Sequence, residues 1–452
     1  MNRPDAFLSV AIVGAGPAGF YTAQALMELA PHARIDLIDR LPTPFGLIRY
    51  GVAPDHQETK KIQELFESIA LAPQVSFIGN VEIGKDVTLA ELRELYDAVV
   101  LAHGVPQDAP LGIPGDALPG VYGAASFVGW YNGHPDLAGL QPRLGAPGAV
   151  IIGNGNVAID IARVLSKSRA ELQRSDMAPY ALEHIVRNPP GEVHIVGRRG
   201  PVQAKFTTVE LAELGTLEEA VALADAADIP DEPGDDLSPR DKRVKAKNLE
   251  CLRAYAQAGL PRERLGGKKI HLRFYARPME ILGADCVRGV RFERMGPGAD
   301  GMLVGTGQTF ELACSTVIAA IGYRASALEG LALAPEGNRL HHDEGCLGAG
   351  LYVAGWLRRG PSGKIGTNRA DGEAVAQRIT LEVRPGRKPG REGLLGTIRA
   401  RALRAVDFQG WKRIEMAECA AAAPESVRCK ISRVDEMLAV AHASEISSTY
   451  IR

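Results

Sequence analysis

Four short apolar runs rich in Val and Ile punctuate the chain, and each runs into a glycine turn: Leu8–Val13, Ala98–Ala102, Val150–Ile152 and Thr316–Ile321. Uninterrupted apolar runs of this length, without alternation, suit strands buried on both faces of a parallel sheet. Helix-period patterns follow the first and third, over Ala18–Leu29 and Val157–Leu165. Strand, glycine turn and helix therefore occur twice, about 140 residues apart, which predicts an α/β chain with two Rossmann-like, three-layer dinucleotide-binding domains. Apolar strands at Ile35–Ile38 and Glu192–Gly197 follow the two helices. A helical pattern over Phe408–Arg452 carries no motif whose chemistry can be argued alone.

The first turn reads Gly14-Ala15-Gly16-Pro17-Ala18-Gly19. Gly14 suits the tight turn, Gly16 lets backbone approach a pyrophosphate, and Gly19 permits close helix–strand packing. The helix N-terminus then offers free N–H groups and its dipole to the phosphates. Asp39, twenty residues past Gly19, is placed to accept hydrogen bonds from ribose hydroxyls. This turn alone does not separate FAD from NAD.

The second turn is Gly153-Asn154-Gly155-Asn156-Val157-Ala158, and the strand after its helix ends in Arg198-Arg199 instead of an acid. Two guanidiniums there favour a 2′-phosphate, hence NADP(H) over NAD(H); the alternative is a solvated basic turn. An insertion, roughly 166–191, lengthens this unit. Two dinucleotide sites imply one bound flavin and one exchanging pyridine nucleotide.

Composition narrows what the electrons do next. The six cysteines, Cys251, Cys286, Cys314, Cys346, Cys419 and Cys429, form no C-x-x-C. A redox dithiol, a zinc knuckle and a cysteine-held cluster lack support, so the electrons must leave for something outside the chain. Glycine is in excess, 50 of 452 residues, and clusters after the apolar runs. With 54 acids against 52 bases the net charge is −2, which disfavours a nucleic-acid binder, and a membrane span is not expected. The apolar run Ala6–Val13 is followed by Gly-x-Gly and not by a cleavage site, so it reads as a strand and the chain as cytoplasmic.

The near-neutral total hides two basic segments. After an acidic loop (Asp225, Asp228, Asp231, Glu232, Asp235, Asp236), Arg240–Lys247 carries five bases and one acid. Arg240, Arg243 and Lys247 share a helix face, with Lys242 and Lys245 beside it, either as a solvated face or as a docking patch for an acidic electron carrier. Arg384–Arg404 carries seven bases against Glu392 and begins as a Pro/Gly linker.

Four stretches together resemble the adrenodoxin reductase family of ferredoxin–NADP reductases, here of bacterial type. They are Gly14–Gly19, Leu41–His56 (L-P-T-P-F-G-L-I-R-Y-G-V-A-P-D-H), Gly153–Arg163, and Val353–Trp356 through Gly360–Asn368. The resemblance runs in order over nearly the whole chain, including Trp411, Asp435 and Met437-Leu438. It implies flavin contacts at Ala18, Asp39, Leu47, Val81, Trp356 and the backbone of Gly363, Lys364 and Ile365. It implies NADP contacts at Asn154, Gly155, Asn156, Val157, Arg198, Arg199, Glu210 and Gly363. His56, with Asp160 as partner, resembles the family's active-site pair, and Trp356 and Gly363 would frame the two rings. Three alternatives stand beside these roles: His56 as a structural cap of the Pro54-Asp55 turn, Asp160 as an (i, i+3) partner of Arg163, and Glu210 as a capping-box partner of Thr207. The chain departs from the family pattern at His103 and Ala109.

The implied enzyme is an FAD-dependent, monomeric ferredoxin–NADP(+) reductase. Its FAD domain is discontinuous, residues 1–107 and 325–452 with a C-terminal extension, around an NADP domain at 108–324. Its partner would be an acidic ferredoxin, of 2Fe–2S type, or a flavodoxin, docked at Arg240, Lys242, Arg243 and Lys247. A flavin monooxygenase and a non-enzymatic redox-sensing flavoprotein are the rival readings.

Overall fold

The computed structural model describes residues 7–234, 236–257, 267–298, 302–326 and 330–443. Ala6 of the first apolar run, Asp235 of the acidic loop and residues 444–452 of the tail lie outside the described residues. All four apolar runs form strands, over Ser9–Val13, Ala98–Leu101, Gly148–Ile152 and Thr316–Ala319. The last is shorter than the apolar pattern, and Ile321 is exposed beyond its end.

The first sheet has the order Cys346–Gly348, Leu351–Val353, Ala98–Leu101, Ser9–Val13, Arg34–Ile38, Val75–Ile78. Its ladders are parallel except at the Cys346–Gly348 edge. Ser9–Val13 and Ala98–Leu101 are buried at every position, which explains their non-alternating apolar sequence. Helices Pro17–Leu29 and Thr367–Glu382 cover one face, crossing so closely that a Cβ on Gly372 would stand 2.7 Å from Thr22 N. Leu92, Leu394 and Ile398 of helices Leu89–Leu95 and Gly390–Ala400 seal the other face. The tail helices Phe408–Ala420 and Val434–Ala441 bring Trp411, Ile414 and Met437 into the core around Phe45.

The second sheet is parallel throughout, in the order Val121–Gly123, Thr316–Ala319, Gly148–Ile152, Glu192–Val196, Lys268–Arg273, Ala220–Ala224. Helices pack on one face. The third layer is not helical: Ala276–Leu282, Gly289–Pro297 and Leu303–Ala313 form an antiparallel sheet, whose Val290, Phe292 and Ile281 pack on Val150, Ile152 and Val196. The insertion after the second turn's helix holds two short helices, Arg169–Gln173 and Pro179–Arg187.

Gln107–Asp108 and Tyr323–Arg324, which connect the two sheets, pair with each other as an antiparallel ribbon. A buried charge network also joins the parts. Asp176 of the insertion accepts two hydrogen bonds from Lys60 Nζ, at 2.6 and 2.8 Å, and lies 3.3 Å from Lys430 Nζ. Beside it, Arg49 donates to both carboxylate oxygens of the fully buried Glu418. Much of the basic segment Arg384–Arg404 is likewise consumed by structure: Arg391 pairs with buried Asp36, Arg401 with Glu91, and Lys388 donates to the Tyr96 carbonyl.

Candidate active site

Both glycine turns lie at the carboxyl ends of their parallel strands, where such sheets bind ligands. Gly14 has φ +110°, and a Cβ there would stand 2.6 Å from His103 Cα, so the turn closes on the neighbouring strand end only as glycine. A Cβ on Gly19 would meet Gly14 O at 2.0 Å, the close helix–turn contact expected of the third glycine. The Pro42–Gly46 segment folds back over this turn, with Phe45 N donating to Ala15 O at 2.7 Å. Asp39 accepts from Ala15 N at 2.9 Å and Leu41 N at 3.0 Å, leaving one further lone pair on each oxygen. Burial raises its pKa in spite of these bonds. Ala18 and Val81 are buried, whereas Leu47 is 47% exposed.

The segment Gly355–Asn368 completes this side. Gly355 has φ +69°, and a Cβ would come within 2.5 Å of Ala18 Cβ, so the strand-to-helix turn before Trp356 is pressed against helix Pro17–Leu29. Trp356 stacks on Tyr323 of the ribbon, centroids 5.4 Å apart at 29°, and donates to Ser362 O at 3.2 Å. Gly363 and Lys364 are exposed and Ile365 half-buried, just before helix Thr367–Glu382, and Lys364 N donates to Thr367 Oγ1 at 3.1 Å.

At the second turn, Gly155 has nothing within 4 Å of the position of a Cβ, so the approach is open. Asn154 O accepts from Lys205 N and Asn156 Oδ1 from Thr207 N, at 2.7 and 2.8 Å, folding the 205–207 segment alongside the turn. Val157 is half-buried against the core. Arg198 and Arg199 follow the strand end exposed. The capping-box alternative for Glu210 is not formed: the Thr207 side chain makes no cap hydrogen bond, and Thr207 Oγ1 and Glu210 Oε2 are both buried without partners. Open glycine backbone, free guanidiniums and orphaned buried polar atoms fit a bound dinucleotide.

His56 reaches across from the first unit to the second. Its Nε2 hydrogen-bonds Glu213 Oε2 at 2.9 Å, while Asp160 Oδ1 is 3.9 Å away, beyond a hydrogen bond. The expected His56–Asp160 pair is thus a second-rank contact, and the ring caps no turn. Asp160 pairs with Arg163 at 3.0 Å as the local alternative held, and Arg163 also pairs with Glu213 and Asp55. The Glu213 hydrogen bond raises the His56 pKa against burial. Burial pushes Asp160 up to about 6. Glu213 is the residue sequence reasoning missed: it ends helix Thr208–Glu213 with no local motif, and only the cross-sheet approach reveals it.

Arg240, Arg243 and Lys247 are exposed on helix Pro239–Gln257, with Lys242 half-buried. Lys245 turns inward to donate to Ala204 O, which leaves the exposed face narrower than the charge count suggested.

Two glycine turns, one whose following strand leads into Asp39 and one whose following strand runs into Arg198-Arg199, in a chain with six free thiols, fit an oxidoreductase of the two-dinucleotide flavoprotein class. The pyridine nucleotide-disulphide oxidoreductase family model matches residues 8–213. The mitochondrial NADPH:adrenodoxin oxidoreductase of Arabidopsis thaliana is 40% identical, covering 92% of this chain and 91% of its own. The human enzyme of that name is 36% identical, over 91% and 87%. FprA from Mycobacterium tuberculosis in complex with NADPH is 36% identical with a TM-score of 0.89, over 96% of this chain and 99% of that one. The chain belongs to the adrenodoxin reductase family of NADPH–ferredoxin reductases, as the four sequence stretches implied. No helix among the described residues is long and apolar enough to cross a membrane.

Proposed function

We propose that this chain passes electrons between NADPH and a ferredoxin-type iron–sulfur protein by way of FAD. The observation that carries the reading is the pairing of two glycine-turn units, one whose second strand leads into Asp39 and one whose second strand runs into Arg198-Arg199, in a chain without a C-x-x-C dithiol. When bound, FAD supplies the conversion between two-electron and one-electron chemistry that no side chain performs. The chain's own residues bind, orient and shield. Gly14, Gly16, Gly19 and Asp39, with Ala18, Leu47, Val81, Trp356 and the Gly363–Ile365 backbone, hold FAD. Asn154–Val157, Arg198, Arg199 and Glu210 hold NADP(H). His56 and Glu213, with Asp160 behind them, hold a proton where the two units meet.

The same reading divides the chain into an FAD domain of 1–107 with 325–452 and an NADP domain of 108–324. This is supported by the origin of the two sheets' strands and by the ribbon at the crossings. The exposed Arg240, Arg243 and Lys247 are the docking face for an acidic ferredoxin or flavodoxin, where electrostatic steering speeds encounter. The protein works as a cytoplasmic monomer. Anaerobic NADPH titration of the purified yellow protein tests the reading: the flavin absorbance is expected to bleach and to return on adding an oxidised 2Fe–2S ferredoxin. Unbleached flavin, or NADPH consumption that runs only with oxygen and an organic substrate, would overturn it.

A further inference from the structure

Parallel strands Glu192–Val196 and Lys268–Arg273 lie side by side, with Lys269 opposite Glu192 and His271 opposite His194. In-register pairing puts Glu192, His194, Lys269, His271 and Arg273 on one face of the sheet, near its edge. The two imidazoles stack, centroids 4.7 Å apart at 23°. Glu192 Oε2 stands 3.5 Å from His194 Nε2 and 3.3 Å from His271 Nε2. Neither approach is a hydrogen bond, and His271 Nε2 is buried without a partner. His271 also lines a cavity of about 400 Å³ with Asp225, Asp228, Arg273 and Arg294.

The two carboxylate–imidazole separations, 3.3 and 3.5 Å with no hydrogen bond between the atoms, match the edge of a coordination polyhedron. Two donors about 2.05 Å from an ion at the tetrahedral angle stand roughly 3.3 Å apart. We propose that Glu192 Oε2, His194 Nε2 and His271 Nε2 form a three-ligand site for a divalent cation of the zinc class, with water from the adjoining cavity as the fourth ligand. Two imidazoles and one carboxylate suit Zn²⁺; Mg²⁺ and Ca²⁺ take oxygen donors.

Two local adjustments accompany binding. The near-parallel rings hold their lone pairs side by side, so His271, 21% exposed, turns about its Cβ–Cγ bond to face the ion. Arg273 Nε now donates to His194 Nδ1 at 3.2 Å. Ligation through Nε2 moves the neutral ring's proton to Nδ1, so Arg273 swings away toward Asp225 and Asp228 in the cavity. Lys269 engages the other carboxylate oxygen, Oε1, at 3.4 Å and leaves Oε2 for the ion. The ion ties together two strands of which one runs directly into Arg198-Arg199. The other reaches Tyr275, whose N–H approaches Arg199 O at 3.4 Å. It is therefore a clip beneath the 2′-phosphate end of the nucleotide site, outside the cleft holding His56.

The test uses untagged holoenzyme, Zn²⁺ competed against a chromophoric chelator, and the zinc absorption edge. One equivalent is expected, in a nitrogen/oxygen shell containing two imidazoles and undisturbed by excess Mg²⁺. His271→Gln should weaken binding by more than the roughly 100-fold that loss of an outer partner costs, with FAD content unchanged to show that the variant is folded. Arg273→Gln should tighten binding severalfold by freeing Nδ1, a gain that a purely structural cluster would not show. Retention in His56→Gln is expected, because that ring belongs to a different group. A sulfur shell, unchanged uptake in His271→Gln, weaker uptake in Arg273→Gln, or loss in His56→Gln would each overturn the proposal.

Discussion

His56 and Glu213, 157 positions apart in sequence, meet with Nε2 and Oε2 at 2.9 Å, joining the segment after the first glycine turn's unit to helix Thr208–Glu213 beside the second glycine turn. This bond is the largest cause of the raised His56 pKa. A group whose pKa is raised on folding contributes stability that is complete below its unfolded value and fades as pH rises through the folded one. Wild type should therefore exceed His56→Gln in stability most at about pH 6 and least at about pH 9. Urea denaturation at the two values checks this; a pH-independent difference would mean that the His56 charge is not involved.

The same pair should shape turnover. Glu213→Gln removes the anion that favours protonated His56, so an inflection due to His56 in the rate of flavin bleaching by NADPH should move to lower pH. Stopped-flow profiles of the two proteins decide it, and an unmoved inflection assigns the titration to another group.

Arg198→Ala with Arg199→Ala should raise KM for NADPH by about 10–100-fold, the range for lost charge-assisted hydrogen bonds, and leave NADH nearly unaffected. Steady-state kinetics with both nucleotides provides the check. Equal losses would contradict a 2′-phosphate contact.

Charge reversal at Arg243 and Lys247 should slow ferredoxin reduction at low ionic strength, with the difference shrinking as salt rises. Reduction of a small dye serves as control and should be spared. If both rates fall together, the helix Pro239–Gln257 is not the docking face.

Asp176→Ala would leave Lys60 and Lys430 buried without their carboxylate. Breaking such a buried pair costs about 3–5 kcal/mol, measurable by denaturation of the holoenzyme. The companion Asp176→Ala/Lys60→Met should recover part of the loss; no recovery would place the cost in packing.

Whatever depends on local spacing was legible in the chain. The parallel strands announce themselves because burial on both faces demands unbroken Val and Ile, as in Val10–Val13 and Val150–Ile152. The turns do so because backbone crowding at Gly14 and Gly19 admits no side chain. Helices came within a residue or two, Pro17–Leu29 and Asn156–Ser166 against the patterns Ala18–Leu29 and Val157–Leu165. What depends on distant segments meeting was not legible. Glu213 and Asp176 look like ordinary helix-end and loop acids until the chain folds. The antiparallel layer of Ala276–Leu282, Gly289–Pro297 and Leu303–Ala313 also went unread, because only scattered positions such as Ile281, Val290 and Phe292 are buried, against Val150 and Ile152. In the basic run Arg384–Arg404 the charge count is conspicuous but its partners are not: Arg391 and Arg401 are occupied by Asp36 and Glu91, hundreds of residues away in sequence.

The ribbon of Gln107–Asp108 and Tyr323–Arg324 is anchored differently at each edge. Asp108 accepts from Ala125 N and Ser126 N, welding it to the start of helix Ala124–Tyr131, while Tyr323 lies against Trp356. The plane of the Trp356 ring is thus set from both sides of the chain crossing: one aromatic stack ties it to the ribbon, and the ribbon is tied in turn to helix Ala124–Tyr131.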